Sequence, residues 1–111
     1  MKIIPDKIPS GIPVMRFDGD LDYHASADLR SGLNKFLESP HLLLDLAKVG
    51  YMDSSGIAVF VELSQKIKAH GGKIVFFNLA PAVKSVFELA KLHLFFSIAG
   101  SQEEAVKIVS G

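Results

Sequence analysis

The spacing of apolar residues changes several times along the chain, and each change marks an element. Two short apolar stretches, Ile3–Ile8 and Ile12–Phe17, are joined by Pro9, Ser10 and Gly11. They read as a β-hairpin whose first strand lies at a sheet edge, where Pro5 is tolerated. The period then lengthens. In "DGDLDYHASADLRSGLNKFLESP", Leu29, Leu33, Phe36 and Leu37 fall at helical spacing, Asp22 can cap the start, and Pro40 lies beyond the end.

"HLLLDL" (His41–Leu46) is too short for a helix and almost wholly apolar, so it predicts a buried strand. A helix follows "DSSG" and stops at His70-Gly71-Gly72, a left-handed stop. "KIVFFNL" (Lys73–Leu79) predicts a strand, and "APAVKSVFELAKL" a helix with Pro81 in its first turn, where the missing N–H costs little. "LFFSI" (Leu94–Ile98) predicts a last strand. "SQEEAVKIVSG" predicts a closing helix, with Ser101 and Glu104 spaced as a capping box. Strands and helices alternate after the hairpin with short connections. The expected fold is α/β: a mixed, mostly parallel sheet with an N-terminal β-hairpin followed by β-α units, in one domain over residues 1–111.

Composition narrows the functions available. Of the 111 residues, nearly half are hydrophobic, and 12 basic residues balance 12 acidic ones. That balance gives no electrostatic reason to expect nucleic acid or an anionic membrane as partner. With no cysteine, disulfide and thiolate chemistry are absent. No apolar run approaches the ~20 residues that span a bilayer, and the N-terminus, broken by Pro5 and Pro9, lacks the apolar core of a signal peptide. A cytoplasmic protein is expected. The four histidines are scattered, without metal-ligand spacing, and "GYMDSSG" is not a G-x-S-x-G nucleophile elbow because Met52 stands in place of its first glycine. Asp18, Asp20 and Asp22 read as a polar strand-to-helix loop with a cap. No phosphate-binding glycine loop is present. No catalytic residue, metal site, cofactor or small-molecule substrate is therefore expected, and the protein does not read as an enzyme.

The stretch "VGYMDSSGIAVFVEL" supports two readings. Asp53, Ser54 and Ser55 are favoured helix caps, with Gly56 easing the turn, so a plain helix start is sufficient. At ~100° per residue, however, Phe60, Leu63 and Ile67 share the core side, with Ile57 and Ser64 at its border. Ser54, Ala58, Val61 and Gln65 form a different stripe, small or apolar where charge would be cheap. That composition suggests a partner surface, although Val61 flanking the core explains it equally well. A phosphate on a serine there would add roughly −1.5 to −2 charges at a helix N-terminus, which tolerates an anion. It would repel or block a docked partner more readily than unfold the domain.

"GDLD" (Gly19–Asp22), "LLLDLAKVGYMDSSGIAVF" and "APAVKSVFELAKL", in this order and spacing, resemble the anti-sigma factor antagonists, free-standing bacterial STAS domains. The resemblance implies a single STAS-type domain in which Ser54 is the phosphorylated residue. It implies that the unphosphorylated protein binds an anti-sigma factor that is also a serine kinase, so freeing a sigma factor, and that a serine phosphatase restores the binding form. The implied partner surface joins Asp22 of the GDLD segment to Asp53, Ser54, Ser55, Gly56, Ala58 and Val61. Family members often carry a second glycine where this chain has Ala58, and a methyl at a close contact bears on partner choice. Ser55 reads as a cap or backbone partner before a phosphosite. The alternative is a STAS scaffold subunit of a stressosome-like or transporter-associated assembly, with no switch; the intact D-S-S-G favours the switch. Nucleotide binding by the domain itself ranks last for want of a phosphate loop.

Overall fold

A computed structural model describes residues 1–33 and 40–110, Leu33 by its backbone alone. The predicted contributions of the Leu33, Phe36 and Leu37 side chains lie outside the described residues. The elements run β1 (Lys2–Lys7), β2 (Pro13–Leu21), α1 (Tyr23–Leu33), β3 (His41–Met52), α2 (Ser54–Ala69), β4 (Lys73–Phe77) and α3 (Pro81–Leu89). A 3-10 turn (Leu92–Leu94), β5 (Ser97–Ala99) and α4 (Gln102–Ser110) follow. The five strands lie in sequence order; β1 is antiparallel to β2, and every later pair is parallel. This is the expected mixed sheet, with hairpin first and β-α units after.

Because the sheet grows in one direction, crossovers of the same hand lay α1, α2 and α3 on the same face. Leu29 of α1, Phe60 and Leu63 of α2, and Val83 and Phe87 of α3 join the larger core there. Helix α4 follows the last strand and covers the opposite face, where Ala105 and Val109 pack on Val14, Leu43, Val75 and Phe77. The central strands are therefore buried on both sides. Leu42, Leu44 and Leu46 face one core and Leu43 the other. That double burial is the physical reason for the unbroken apolar run in "HLLL".

The main differences from the sequence-based expectations fall at strand and helix ends. Strand β3 runs to Met52, six residues past Leu46, because its second half pairs only with β2 and leaves Ala47, Lys48, Gly50 and Tyr51 exposed. Such a one-sided strand carries no continuous apolar signal. Strand β2 likewise extends through Gly19, Asp20 and Leu21, which the sequence suggested were loop; register shifts at Arg16/Asp18 and Gly19/Asp20 and a φ of 124° at Gly19 bend it. Helix α3 stops at Leu89, and "LFFSI" is not one strand. Lys91 is left-handed, and Leu92 and Phe96, four apart, are buried, while Leu94 and Phe95 remain exposed. Burial at i and i+4 made a turn of an apolar run that β-propensity would extend. At α4, Ser101 Oγ accepts from the Glu104 amide, and the Glu104 carboxylate accepts from Gly100 rather than from Ser101.

On the α4 side Arg16 ties four elements together. Its guanidinium donates to Asp45 of β3 at 2.6 Å, to Asp6 of β1 at 3.1 Å and to Gln102 of α4 at 2.9 Å. Burial works against this charge, but the hydrogen bonds from Arg16 to Asp45 and Asp6 outweigh it and raise the Arg16 pKa. Asp6 is held below its ordinary value by the Lys7 amide and by Arg16.

The larger core turns on aromatic contacts. Phe76 of β4 lies 5.1 Å from Phe60, 5.7 Å from Phe87 and 4.7 Å from Phe96, centroid to centroid. Edge and tilted ring pairs of this kind add to the area they bury. Phe76→Ala should cost about 3–5 kcal/mol, a large share of a typical domain's stability, as read by urea denaturation. A loss under about 1 kcal/mol would show that the cluster is not the centre of the core.

Candidate functional site

The β2–β3 pairing builds the site. Leu21 and Met52 are register partners at the ends of two parallel strands. The next residue on each strand is an aspartate that caps a helix. Asp22 Oδ1 accepts from the Ala25 amide of α1 at 2.9 Å, and Asp53 Oδ1 accepts from the Ser55 amide of α2 at 2.9 Å. Both caps satisfy amides that have no partner within their helix. The in-register strand ends thus set two helix N-termini side by side. Carboxyl ends of parallel strands are where ligand and partner sites of α/β sheets gather.

A close approach fixes their spacing. The Asp53 amide donates to the Leu21 carbonyl at 3.3 Å. A Cβ at position 56 would lie 2.9 Å from that carbonyl oxygen and 3.0 Å from Leu21 Cβ. Gly56 is buried inside α2. Its role is to let the helix touch the end of β2, and not to loosen the turn as the sequence suggested. Asp53 alone is the N-cap, so Ser55, half-buried, takes part through its amide.

Ser54 is the first residue of α2 and is exposed. Among the described residues no hydrogen bond engages its hydroxyl. Ala58 below it is exposed, Val61 half-buried and Gln65 exposed. On the other side of the helix Val59, Phe60, Leu63, Ser64 and Ile67 are buried. The predicted phase is therefore correct in its main lines, with Ser64 moved from the border into the interior and Val59 added. Asp22, Asp53, Ser54, Ser55 and Gly56 gather where the two strands end, and Ala58 and Val61 follow down α2.

The surroundings are acidic. Asp20, Asp22, Asp28 and His24 line a shallow hollow of about 340 Å³ with Met1 and Ala25. Among the described residues no group of three histidine or acidic side chains is placed to hold a metal ion. Arg30 of α1 donates to Glu62 of α2 through two nitrogens, each at 3.0 Å, clamping the two helices below the site. That bond raises the Arg30 pKa and holds the exposed Glu62 carboxyl below its ordinary value. Two features escaped the sequence. Tyr51 is exposed, its hydroxyl 3.5 Å from Asp53 Oδ2, and Phe95, 68 % exposed, lies beside the far end of α2's outer stripe. The i, i+4 spacing of Leu92 and Phe96 is the signal that separates Phe95 from the core.

An outward serine thus heads a capped helix beside the start of a second capped helix, in a small α/β module. The STAS domain family matches residues 4–105, and the chain belongs to it, among the anti-sigma factor antagonists. It is 30% identical over 90 residues to the anti-sigma-B factor antagonist of Bacillus subtilis, covering 80% of this chain and 83% of that one. It is 25% identical over 99 residues to the anti-sigma F factor antagonist of Paenibacillus polymyxa, covering 86% and 85%. The fold matches that of the antagonist SpoIIAA in its unphosphorylated form with a TM-score of 0.80 at 24% identity, over 99% of this chain and 97% of the other. No described helix is long and apolar enough to cross a membrane.

Gly56→Ala should destabilise the protein by about 1–3 kcal/mol, because the new methyl meets a backbone carbonyl that cannot rotate away. Ala58→Gly, on the exposed stripe, should cost only about 1 kcal/mol through helix propensity. No loss of stability in Gly56→Ala by chemical denaturation would contradict the close packing of Gly56 on Leu21.

Proposed function

We propose that this chain is an anti-sigma factor antagonist that works as a phosphorylation-switched binding module and not as an enzyme. In its unphosphorylated form it binds an anti-sigma factor that is also a serine kinase, and so releases a sigma factor in the cytoplasm. Phosphorylation at Ser54 ends that binding, and a serine phosphatase restores it. The observation that carries this reading is the position of Ser54, exposed at the first residue of α2, with Asp53 and not the serine itself capping the helix.

The capping arrangement matters for the chemistry. Because Asp53 satisfies the Ser55 amide, the Ser54 hydroxyl has no structural duty and is free to accept a phosphoryl group. A phosphate there sits at the positive end of the helix dipole, which offsets part of its charge. The neighbouring Asp53 and Asp22 make the modified face more negative. A partner carboxylate ~5 Å from the phosphate would meet repulsion on the order of 2–3 kcal/mol near the surface, or roughly a 30- to 140-fold loss of affinity. The reading places Asp22, Ala58 and Val61 in the same contact as Ser54, with Ser55 and Gly56 shaping it from behind.

The test is incubation with ATP and a purified serine-kinase anti-sigma factor of the same host, followed by mass spectrometry. One phosphate is expected on the wild type and none on Ser54→Ala; modification that persists in Ser54→Ala removes the assignment. Ser54→Asp should weaken binding at least tenfold and leave the melting temperature within a few degrees. A collapse of the melting temperature would mean that the charge acts through the fold. Asp53→Asn keeps a capping oxygen and should bind nearly as wild type, whereas Asp53→Ala should lose about 1 kcal/mol of stability.

A further inference from the structure

The outer stripe of α2 does not end in open surface. Val61 and Gln65 form one wall of a trough of about 410 Å³, with Lys68 farther along, while Leu92, Phe95 and Phe96 form the other. The second wall is preorganised. The Phe95 and Phe96 amides both donate to the Leu92 carbonyl, at 2.9 and 2.8 Å, and Lys68 Nζ reaches the Phe95 carbonyl at 3.4 Å. Phe96 is locked 4.7 Å from Phe76 in the core. Phe95 is thus held out at a turn whose neighbours are fixed, which lowers the entropy cost of using it in a contact.

We propose that the face headed by Ser54 continues past Val61 into this trough, which receives the apolar anchor of an acidic amphipathic helix from the same partner. The inference rests on the reading of Ser54 as the head of the binding face. Three observations select this occupant. Val61 belongs both to the Ser54 stripe and to the trough wall, so a partner lying along α2 from its first residue reaches the trough without a break. The trough is lined by one charge, Lys68, and no carboxylate, whereas the Ser54 end carries Asp22 and Asp53. An acidic group on the segment that lies over the trough complements Lys68, and the contrast in charge between the two ends gives that segment a direction along α2. The trough is partly open, and Val61, Leu92, Phe95 and Phe96 give it an apolar lining. It would leave much of a small apolar ligand in water, but it suits the anchors of a helix spaced at i, i+3 and i+4. Its few exposed apolar side chains fall well short of the ~800 Å² per partner of a stable interface, so the trough serves as an extension of a larger contact.

The experiment is calorimetric titration of the same serine-kinase anti-sigma factor with wild type, Phe95→Ala, Lys68→Glu and Ser54→Asp, each checked by thermal melting and by sedimentation alone. Phe95→Ala should raise Kd about tenfold, as expected for an aromatic anchor, with the melting temperature within about 2 °C. Lys68→Glu should weaken binding more at low salt than at high salt. If Ser54→Asp weakens binding but Phe95→Ala leaves Kd within twofold, the trough is not part of the face and this inference is overturned while the switch stands. If neither variant changes Kd, or wild type does not bind, the reading of Ser54 fails and the inference falls with it. A Phe95-dependent dimer in sedimentation, with unchanged binding to the kinase, also overturns it, because the trough then holds a second copy.

Discussion

The carbonyl of Leu21 is the point on which the placement of the two helix starts depends. It accepts the Asp53 amide, and it lies where only a glycine at position 56 allows α2 to approach. Through that contact the end of β2 positions the start of α2, while the same strand hands the chain to the cap of α1 one residue later. The relative placement of Asp22 and Ser54 is therefore set by backbone packing rather than by their own side chains. Side chains on such a frame can vary while the spacing of the two helix starts remains fixed.

Separating the cap from the hydroxyl is what makes a switch compatible with stability. If Ser54 capped α2, a modification there would break the cap and the fold would share the cost. With Asp53 in that role, and the Arg30–Glu62 pair holding α1 to α2 below, the local energetics of the helix start are complete without the Ser54 side chain. Under the proposed switch, a charge added at Ser54 acts outward, on binding rather than on folding, because the two draw on different groups.

The fold was legible where burial was two-sided or helical. "HLLL" could be read as a central strand because Leu42 and Leu43 face different cores, and Phe60, Leu63 and Ile67 announced the inner side of α2. The second half of β3 and the end of β2 were not legible, since pairing on one side only leaves Lys48, Gly50, Tyr51 and Asp20 exposed and polar in pattern. The site suffered from the same limit. Residue types pointed to Asp22, Asp53 and Ser54, but their approach depends on the Leu21–Met52 register, a pairing between residues 31 apart that no local pattern encodes. Gly56 illustrates the point: its chemistry suggested a turn, and only the opposite strand explains why it has no side chain.

The "LHLFF" segment shows how one local choice can serve both core and surface. Burying Phe95 as well as Phe96 would require an extended strand with both faces covered, and at the sheet edge β5 offers only Ser97–Ala99 for pairing. The chain instead takes a left-handed residue at Lys91 and a 3-10 turn, sends Leu92 and Phe96 inward, and leaves Leu94 and Phe95 outside. Leaving two large apolar side chains in water forgoes roughly 1.5–3 kcal/mol of burial for each. A turn pinned by three backbone hydrogen bonds and a core aromatic cannot recover that by local collapse. The free energy becomes available when another surface covers Phe95, and the wall opposite is the same helix that begins with Ser54.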